Sequence, residues 1–440
     1  MLVFVFFSFA LIISMVFNFS LWVYMIFMVI FFPLFFFFNF SFSFLSKSYF
    51  LCFDFFSFSM LLLTFWIVML SMFSSFHYLE VDSSLSMFVF LYWMIKIFLI
   101  MFFVLSNFFF FFFFFESILF PIFFIILGWG NNFERVFSGY YLFFYTLFSS
   151  IPMLLSIFFF SSFSNSLFFF FMDIDFFFFF LYFLFLFSFL VKFPMFLVHS
   201  WLPKAHVEAP VSGSMILAGV LLKMGGYGIF RLFFFFEFFY CLNIFWIYIS
   251  IWGGILSGFI CLRQVDLKSL IAFSSVSHMS LVIMGFFSFK GLGVYGGLMM
   301  MVSHGLCSSG LFYLVNMVYE RSGTRSILLN KGLMSVYPSF SFFWFLMCIS
   351  NMSAPPSLNL FSEIFLISSL VAWSFIFIFF FIFFCFLNGA FNLYLFSSVS
   401  HGKLNSIFFF FNSCCIREYL IIFFHIFPIF FFFMKIEFFL

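Results

Sequence analysis

The chain has 440 residues, of which 67% are hydrophobic and only 7% charged, with a formal net charge of +2. No water-soluble fold of this size covers its surface with so little polar material, and so small a net charge argues against nucleic acid or a strongly anionic lipid surface as partner. The apolar stretches are too long for barrel strands and lack period-two alternation, so the expected fold class is all-α, a polytopic membrane protein.

At roughly 20 residues per span plus short loops, the chain accommodates about 13–14 transmembrane helices. The N-terminus, Met-Leu-Val-Phe-Val-Phe-Phe, has no basic stretch and no Arg-rich amphipathic pattern. It reads as a first span, about residues 1–18, rather than a cleaved signal or import peptide. Further spans are expected at about 20–40, 58–76, 85–105, 106–127, 138–160 and 176–198. The series continues at about 211–236, 241–261, 268–287, 291–318, 335–350, 357–396 (one span or two) and 418–434. Short polar connectors fall at Ser74–Ser84, Gly128–Arg135, Glu320–Lys331 and Ser397–Asn405.

Two segments place proline in an otherwise helical pattern: Lys192-Phe193-Pro194, with Pro203 beyond it, and Ala354-Pro355-Pro356 ahead of Glu363. Proline removes an intrahelical hydrogen bond and clashes with the preceding turn. A helix broken at membrane depth survives only where protein buries it or it lines a wet cavity. Two such breaks fit an inverted-repeat transporter; ordinary proline kinks are the plain alternative.

Four charges read as lying inside spans. Glu116 follows Asn107 and eight consecutive Phe, with apolar residues continuing beyond it. At the centre of a span it costs roughly 2.5–3.5 kcal/mol on insertion scales. Lys192 ends a long uncharged run, Lys223 lies about 18 Å along the helix that begins near Val211, and Glu363 follows the second proline break. Desolvation favours the neutral form of both Lys and Glu, so each can exchange a proton near neutrality. A Glu–Lys contact at about 4 Å is worth up to roughly 4 kcal/mol at an effective dielectric of 20. Breaking such a contact would release the lysine's proton without any cofactor. The alternative for one pair is a static buried bridge that fixes helix register. His278 follows Ser274 and Ser275 at helical spacing, and His304 precedes Ser308 and Ser309. Both suit a proton wire, or equally a core histidine satisfied by a hydroxyl.

Other signals are set aside. Gly291-x-Gly293-x-x-Gly296 has the letters of a dinucleotide fingerprint, but no βαβ unit is possible here, so it reads as close helix packing. His199 and His206, with Glu208 nearby, lack zinc spacing and read as a wet loop at a helix start. The eight cysteines contain no C-x-x-C, which leaves no disulfide framework, zinc or iron–sulfur site. Phe fills 107 positions overall but only one between His199 and Arg231. Phe codons are U-rich, so this excess points to a T-rich organellar gene, while the Phe-poor window marks where something beyond greasiness is required.

Several long motifs carry a family resemblance. They are Lys192-x-Pro194, His199-x-Trp201-Leu202-Pro203-Lys204-Ala205-His206-Val207-Glu208-Ala209-Pro210, and Lys223-x-Gly225-Gly226-Tyr227-Gly228. Others are Leu262-Arg263-Gln264-x-Asp266-Leu267-Lys268-Ser269, Ser277-His278-Met279, His304-Gly305-Leu306 and Asn359-Leu360-x-x-Glu363. Together they resemble the antiporter-like membrane-arm subunits of mitochondrial NADH:ubiquinone oxidoreductase (respiratory complex I), the chain 4 family in particular. The resemblance covers about residues 106–396, with the flanks matching only in hydropathy.

It implies two inverted five-helix repeats, each holding a broken helix. The corresponding division is N-terminal helices 1–105, first repeat 106–237, second repeat 238–396 and a C-terminal span in 397–440. It also implies that protons pass along Glu116, Lys192, Lys223, His278, His304 and Glu363. By the same resemblance this chain binds no cofactor or metal of its own: NADH, FMN, iron–sulfur clusters and ubiquinone sit in other subunits. Its partners would be neighbouring chains 2 and 5 and membrane phospholipids, in the mitochondrial inner membrane. A separate cation/proton antiporter using the same charges, and a purely structural spacer, are the competing readings.

Overall fold

The computed structural model describes residues 46–47, 51–75, 85–130, 132–163, 167–169, 179–237, 239–403 and 414–439. The spans expected at 1–18 and 20–40, the connector residues 76–84, Asn131 and residues 404–405 lie outside the described residues. The described chain is helical, with one minimal antiparallel pairing between β1 (Ser46–Lys47) and β2 (Cys52–Phe53).

The helices follow in chain order. The first are α1 (Phe55–Ser74), α2 (Leu85–Val104), α3 (Phe108–Ser117), α4 (Leu119–Trp129), α5 (Arg135–Phe163), α6 (Phe179–Lys192) and α7 (Trp201–Glu208). Next come α8 (Val211–Ile216), a π-helical turn (Leu217–Leu221), α9 (Leu222–Arg231), α10 (Phe233–Glu237), α11 (Tyr240–Arg263), α12 (Leu267–Phe287) and α13 (Gly291–Ser322). Last are α14 (Leu333–Val336), α15 (Pro338–Asn351), α16 (Leu358–Val371), α17 (Phe377–Ser400) and α18 (Ile416–Phe433). Among the described residues ten helices are long and apolar enough to cross a membrane, with α3–α4 and α8–α9 each counted as one. Proline breaks divide two further pairs, α6–α7 and α15–α16, of which α6 and α16 are apolar but shorter. The 357–396 stretch is two helices, α16 and α17.

Proline dictates the interruptions. Pro194 offers no N–H to the Leu190 carbonyl, which accepts from Met195 N (3.2 Å) instead. Trp201 Nε1 then donates to Val191 O (2.9 Å), capping another carbonyl at the open end of α6. At the second break Asn359 Nδ2 donates to Ser350 O (2.6 Å). Other prolines act as well. Pro121 lies just past the interruption at Ile118 between α3 and α4. Pro428 sits inside α18, and the Phe424 carbonyl it deprives accepts from Trp66 Nε1 (2.9 Å).

The core is a column of α8–α9, α12 and α13, each at least 94% buried over its span window, whereas α5 and α17 are 39% buried. Composition explains the layering. The column helices are built from Gly, Ser, Ala, Met and Leu, and α13 contains one Phe in 32 residues. The outer helices carry Phe on their exposed faces, as at Phe148, Phe379 and Phe386. A side chain that only meets surroundings can be large; one between two backbones cannot. The glycine run at 291–297 shows this. A Cβ on Gly293 would lie 2.3 Å from Gly285 O, and one on Gly296 would lie 3.0 Å from Leu366 N. The run therefore packs helices.

Candidate functional site: a buried row of ionisable side chains

The local winding of each helix sets the site. Asn107 caps α3, its Oδ1 accepting from Phe109 N (3.0 Å), which starts the poly-Phe helix in register to end at Glu116. Lys192 is the last residue of α6, where the helix dipole favours a cation. The two meet: Lys192 Nζ lies 3.3 Å from Glu116 Oε1 and donates to Phe115 O (2.5 Å). The Phe115 ring faces the same ammonium, its centroid 3.2 Å away. Lys192 is fully buried. Glu116 is half-buried and also borders an apolar groove of about 470 Å³ between α2 and α3–α4.

Lys223 owes its place to the π-helical turn. Returning from i→i+5 to i→i+4 pairing leaves a carbonyl without a backbone donor. Ala218 O takes Lys223 Nζ at 2.5 Å. The same Nζ lies 3.1 Å from His304 Nδ1 on α13. Glycines allow the approach: a Cβ on Gly305 would sit 3.0 Å from Gly219 O. The His304 and His278 rings are 5.2 Å apart. His278 Nδ1 lies 3.6 Å from Glu363 Oε1. Ser353 Oγ donates to Glu363 Oε2 (2.5 Å) and Asn388 Nδ2 to Oε1 (3.0 Å).

The six expected residues therefore form two groups: the Glu116–Lys192 pair, and the row Lys223–His304–His278–Glu363. No direct hydrogen bond joins Lys192 to Lys223 among the described residues. Their helices nonetheless touch beside them, where a Cβ on Gly225 would lie 2.7 Å from Phe193 N. Within each group the ionisable side chains lie in the interior and close to one another.

Four expectations need correction. His206 is not in a wet loop: it is fully buried on α7, its ring parallel to Phe312 with centroids 4.7 Å apart, because α7 folds back into the bundle after the Pro194 break. His199, by contrast, is half-exposed. The serines before His278 do not serve it: Ser274 and Ser275 Oγ donate to Ile271 O and Ala272 O of their own helix (2.8 and 2.6 Å), as serine in a helix tends to do. The intramembrane charges are more than four. Lys96 sits mid-way along α2, buried between the rings of Phe65 and Trp93 (5.0 and 4.9 Å), and its uncharged flanks in the sequence were the signal that could have found it. Finally, Glu320 belongs to α13, not to a connector; Arg321 there binds Glu418 at the start of α18 (2.5 Å).

Sequence reasoning also missed Ser353, Asn351, Asn388 and Asn392. Uncharged residues give no insertion penalty large enough to stand out. Among the described residues no group of three or more His, Cys, Asp or Glu is placed to hold a metal ion.

Comparison with known proteins bears on this geometry. The family model described as "NADH:quinone oxidoreductase/Mrp antiporter, TM" matches residues 105–388. A second, "NADH-ubiquinone oxidoreductase chain 4, amino terminus", matches residues 1–102. The first hundred residues thus match in more than hydropathy, contrary to expectation. NADH-ubiquinone oxidoreductase chain 4 of Ceratitis capitata is 45% identical over 388 residues, covering 88% of this chain and 87% of that one. The Aedes aegypti protein of the same name is 49% identical over 317 residues, covering 71% of each. In fold, the chain is similar to one in respiratory complex I from Thermus thermophilus with bound NADH (TM-score 0.79, 20% identity, covering 92% of this chain and 89% of that one). It is also similar to one in the Mrp complex from Dietzia sp. (TM-score 0.71, 17% identity, covering 81% and 68%). At 45–49% identity over most of the length of such relatives, and with two family models that together span residues 1–102 and 105–388, the chain belongs to the NADH-ubiquinone oxidoreductase chain 4 family.

Proposed function

We propose that this chain is a membrane-arm subunit of a proton-pumping NADH:ubiquinone oxidoreductase of the mitochondrial inner membrane, and that it moves protons along the buried row. The observation that carries this reading is the run of Lys223, His304, His278 and Glu363 at 3.1, 5.2 (ring centres) and 3.6 Å in the buried interior of the bundle. Glu116 and Lys192 form the gate. While they touch, the lysine's charge is compensated; when they part, Lys192 is a buried cation without its anion and gives up its proton toward Lys223. Lys223 and the two histidines relay it, and Glu363 receives it. NADH, FMN, iron–sulfur clusters and ubiquinone act in other subunits, whose redox work reaches this chain as a displacement of charge or structure. Chains 2 and 5 and phospholipids are the neighbours this reading assigns.

The crossings support a two-repeat reading. Among the described residues, 106–237 contain four and 238–396 five. Taking α2 into the first repeat gives five in each, with the broken helix fourth both times. An odd number of crossings makes the second repeat start from the opposite membrane face, which is the inverted arrangement.

The relatives favour the redox-linked enzyme over a separate cation/proton antiporter. The test is Lys192→Met in the assembled complex. Met has nearly the same length and no charge, so assembly is expected to hold while pumped protons per electron pair fall by about tenfold or more, a modest share of what positioned proton transfer contributes. Full pumping by the variant would remove Lys192 from the path. Purification without flavin and iron–sulfur subunits would instead favour the antiporter.

A further inference from the structure

We propose that Ser353 is the second proton-transfer group of Glu363, acting on the carboxylate oxygen opposite the one that faces His278. This rests on the proton-translocating reading above and adds the way out. Glu363 Oε1 lies 3.6 Å from His278 Nδ1 and accepts from Asn388 Nδ2 (3.0 Å). Oε2 accepts from Ser353 Oγ (2.5 Å). The two oxygens therefore have different neighbours.

Asn388 is a fixed donor. Its Oδ1 accepts from Asn392 Nδ2 (3.1 Å), and Asn392 Oδ1 accepts from Asn351 Nδ2 (2.8 Å). Every amide in this ladder donates toward the carboxylate. Turning Asn388 over would set its N–H against that of Asn392, which would keep only the Asn388 backbone carbonyl (3.0 Å), and would take the donor away from Oε1, a costly exchange for buried groups. A proton resting on Oε1 would face the Asn388 N–H. The ladder thus keeps that side of Glu363 as an acceptor.

Ser353 is the opposite case. Its Oγ lies within 2.5 Å of both Glu363 Oε2 and the Met352 carbonyl. With one proton it can donate to either, and when it turns to Met352 it offers Glu363 a lone pair. A proton passes as follows. Oε1 takes it from the His278 side. The carboxyl group turns about its last torsion, which is broad and two-fold, so that the O–H points to Ser353 and the bare oxygen meets Asn388. The Glu363 O–H bond then breaks as a bond to Ser353 Oγ forms, while the serine's own O–H swings off the Met352 carbonyl and gives its proton to a water molecule that enters at the flank. Glu363 is again an anion and Ser353 a neutral hydroxyl. One proton enters and one leaves. The flank is close: Pro355 and Pro356, two and three residues on, are exposed.

The backbone marks the same residue. Ser353 has φ of +59°, in the left-handed region, where a non-glycine side chain is strained and needs a reason to persist. It also makes a clean test possible. Gly adopts this φ freely, so Ser353→Gly removes the hydroxyl without harming the turn. Asn tolerates it too, and Ser353→Asn keeps a donor for Oε2 that cannot pass a proton on. In the assembled complex both variants are expected to lower pumped protons per electron pair several-fold, with normal amounts of complex. Native pumping by Ser353→Asn would show that the serine only holds Glu363 in place and would overturn the proposal. Glu363→Gln is the reference. If it pumps normally, the whole proton path falls; if it fails while both Ser353 variants pump, only the exit falls. Should neither Ser353 variant assemble, the native complex still decides. The infrared C=O band of protonated Glu363, identified by its loss in Glu363→Gln, is expected at the frequency of an acid hydrogen-bonded at both oxygens. The higher frequency of an acid bonded only at its carbonyl, to Asn388, would overturn the assignment.

Discussion

Lys223→Met is expected to cut proton translocation by about 100-fold or more, within the range a positioned acid–base group supplies, while the complex still assembles. The reason is where the ammonium sits. Lys223 Nζ bridges Ala218 O and His304 Nδ1, so it joins the π-helical turn to the first histidine of the row. Met fills much the same volume. It leaves the Ala218 carbonyl without its donor, at about 1–3 kcal/mol, but it also removes a buried charge that is costly to desolvate. The two effects oppose each other and the bundle survives. Lys223→Arg is not expected to rescue. A planar fork of five donors would face one carbonyl and one ring nitrogen. Protons pumped per electron pair in reconstituted vesicles, compared with the electron-transfer rate alone, make the measurement. A Met variant that pumps at native stoichiometry would take Lys223 out of the mechanism.

The second large effect is steric. Gly225→Ala is expected to destabilise the chain by about 3 kcal/mol or more, at and beyond the upper end of ordinary overpacking costs, and to lower the amount of assembled complex. Its new Cβ would lie 2.7 Å from Phe193 N and 2.8 Å from Phe189 O. Both atoms are backbone at the broken end of α6, so neither can swing aside. Relief requires α9 to move off α6, which carries Lys223 away from Lys192. Any complex that does form should therefore also pump poorly. Gly128→Ala is the control: nothing lies within 4 Å of its Cβ, and a change within about 0.5 kcal/mol is expected there. Detergent-solubilised melting temperatures and complex abundance read both. Equal stability of the two variants would show that the α6–α9 contact is looser than its geometry implies.

These results would also separate what was legible early from what was not. The helical class, the crossings from α1 to α18, both proline breaks and the six ionisable residues could be read from composition and spacing. The reason is physical: hydrocarbon penalises every charge and every broken hydrogen bond. A Lys, Glu or Pro that persists inside a long apolar run therefore stands out without any knowledge of its neighbours. Reading failed where that penalty is weak, and it also passed over Lys96, whose penalty is full. Ser353 and the three asparagines cost little on their own and merged with ordinary polar positions. His206 belongs to a segment as polar as a loop, and nothing local shows that α7 turns back into the bundle.

Sequence alone determined that this is a helical membrane protein with ionisable groups inside its apolar segments, because solvation in an apolar medium acts on each residue separately. Only the tertiary structure decided which of those groups meet. The Lys223 to His304 distance depends on a glycine-sized gap between backbones far apart in the chain, and the two oxygens of Glu363 meet different segments, α17 and the turn of the second break. Pairing energies act between residues, and only the packed bundle fixes which residues those are.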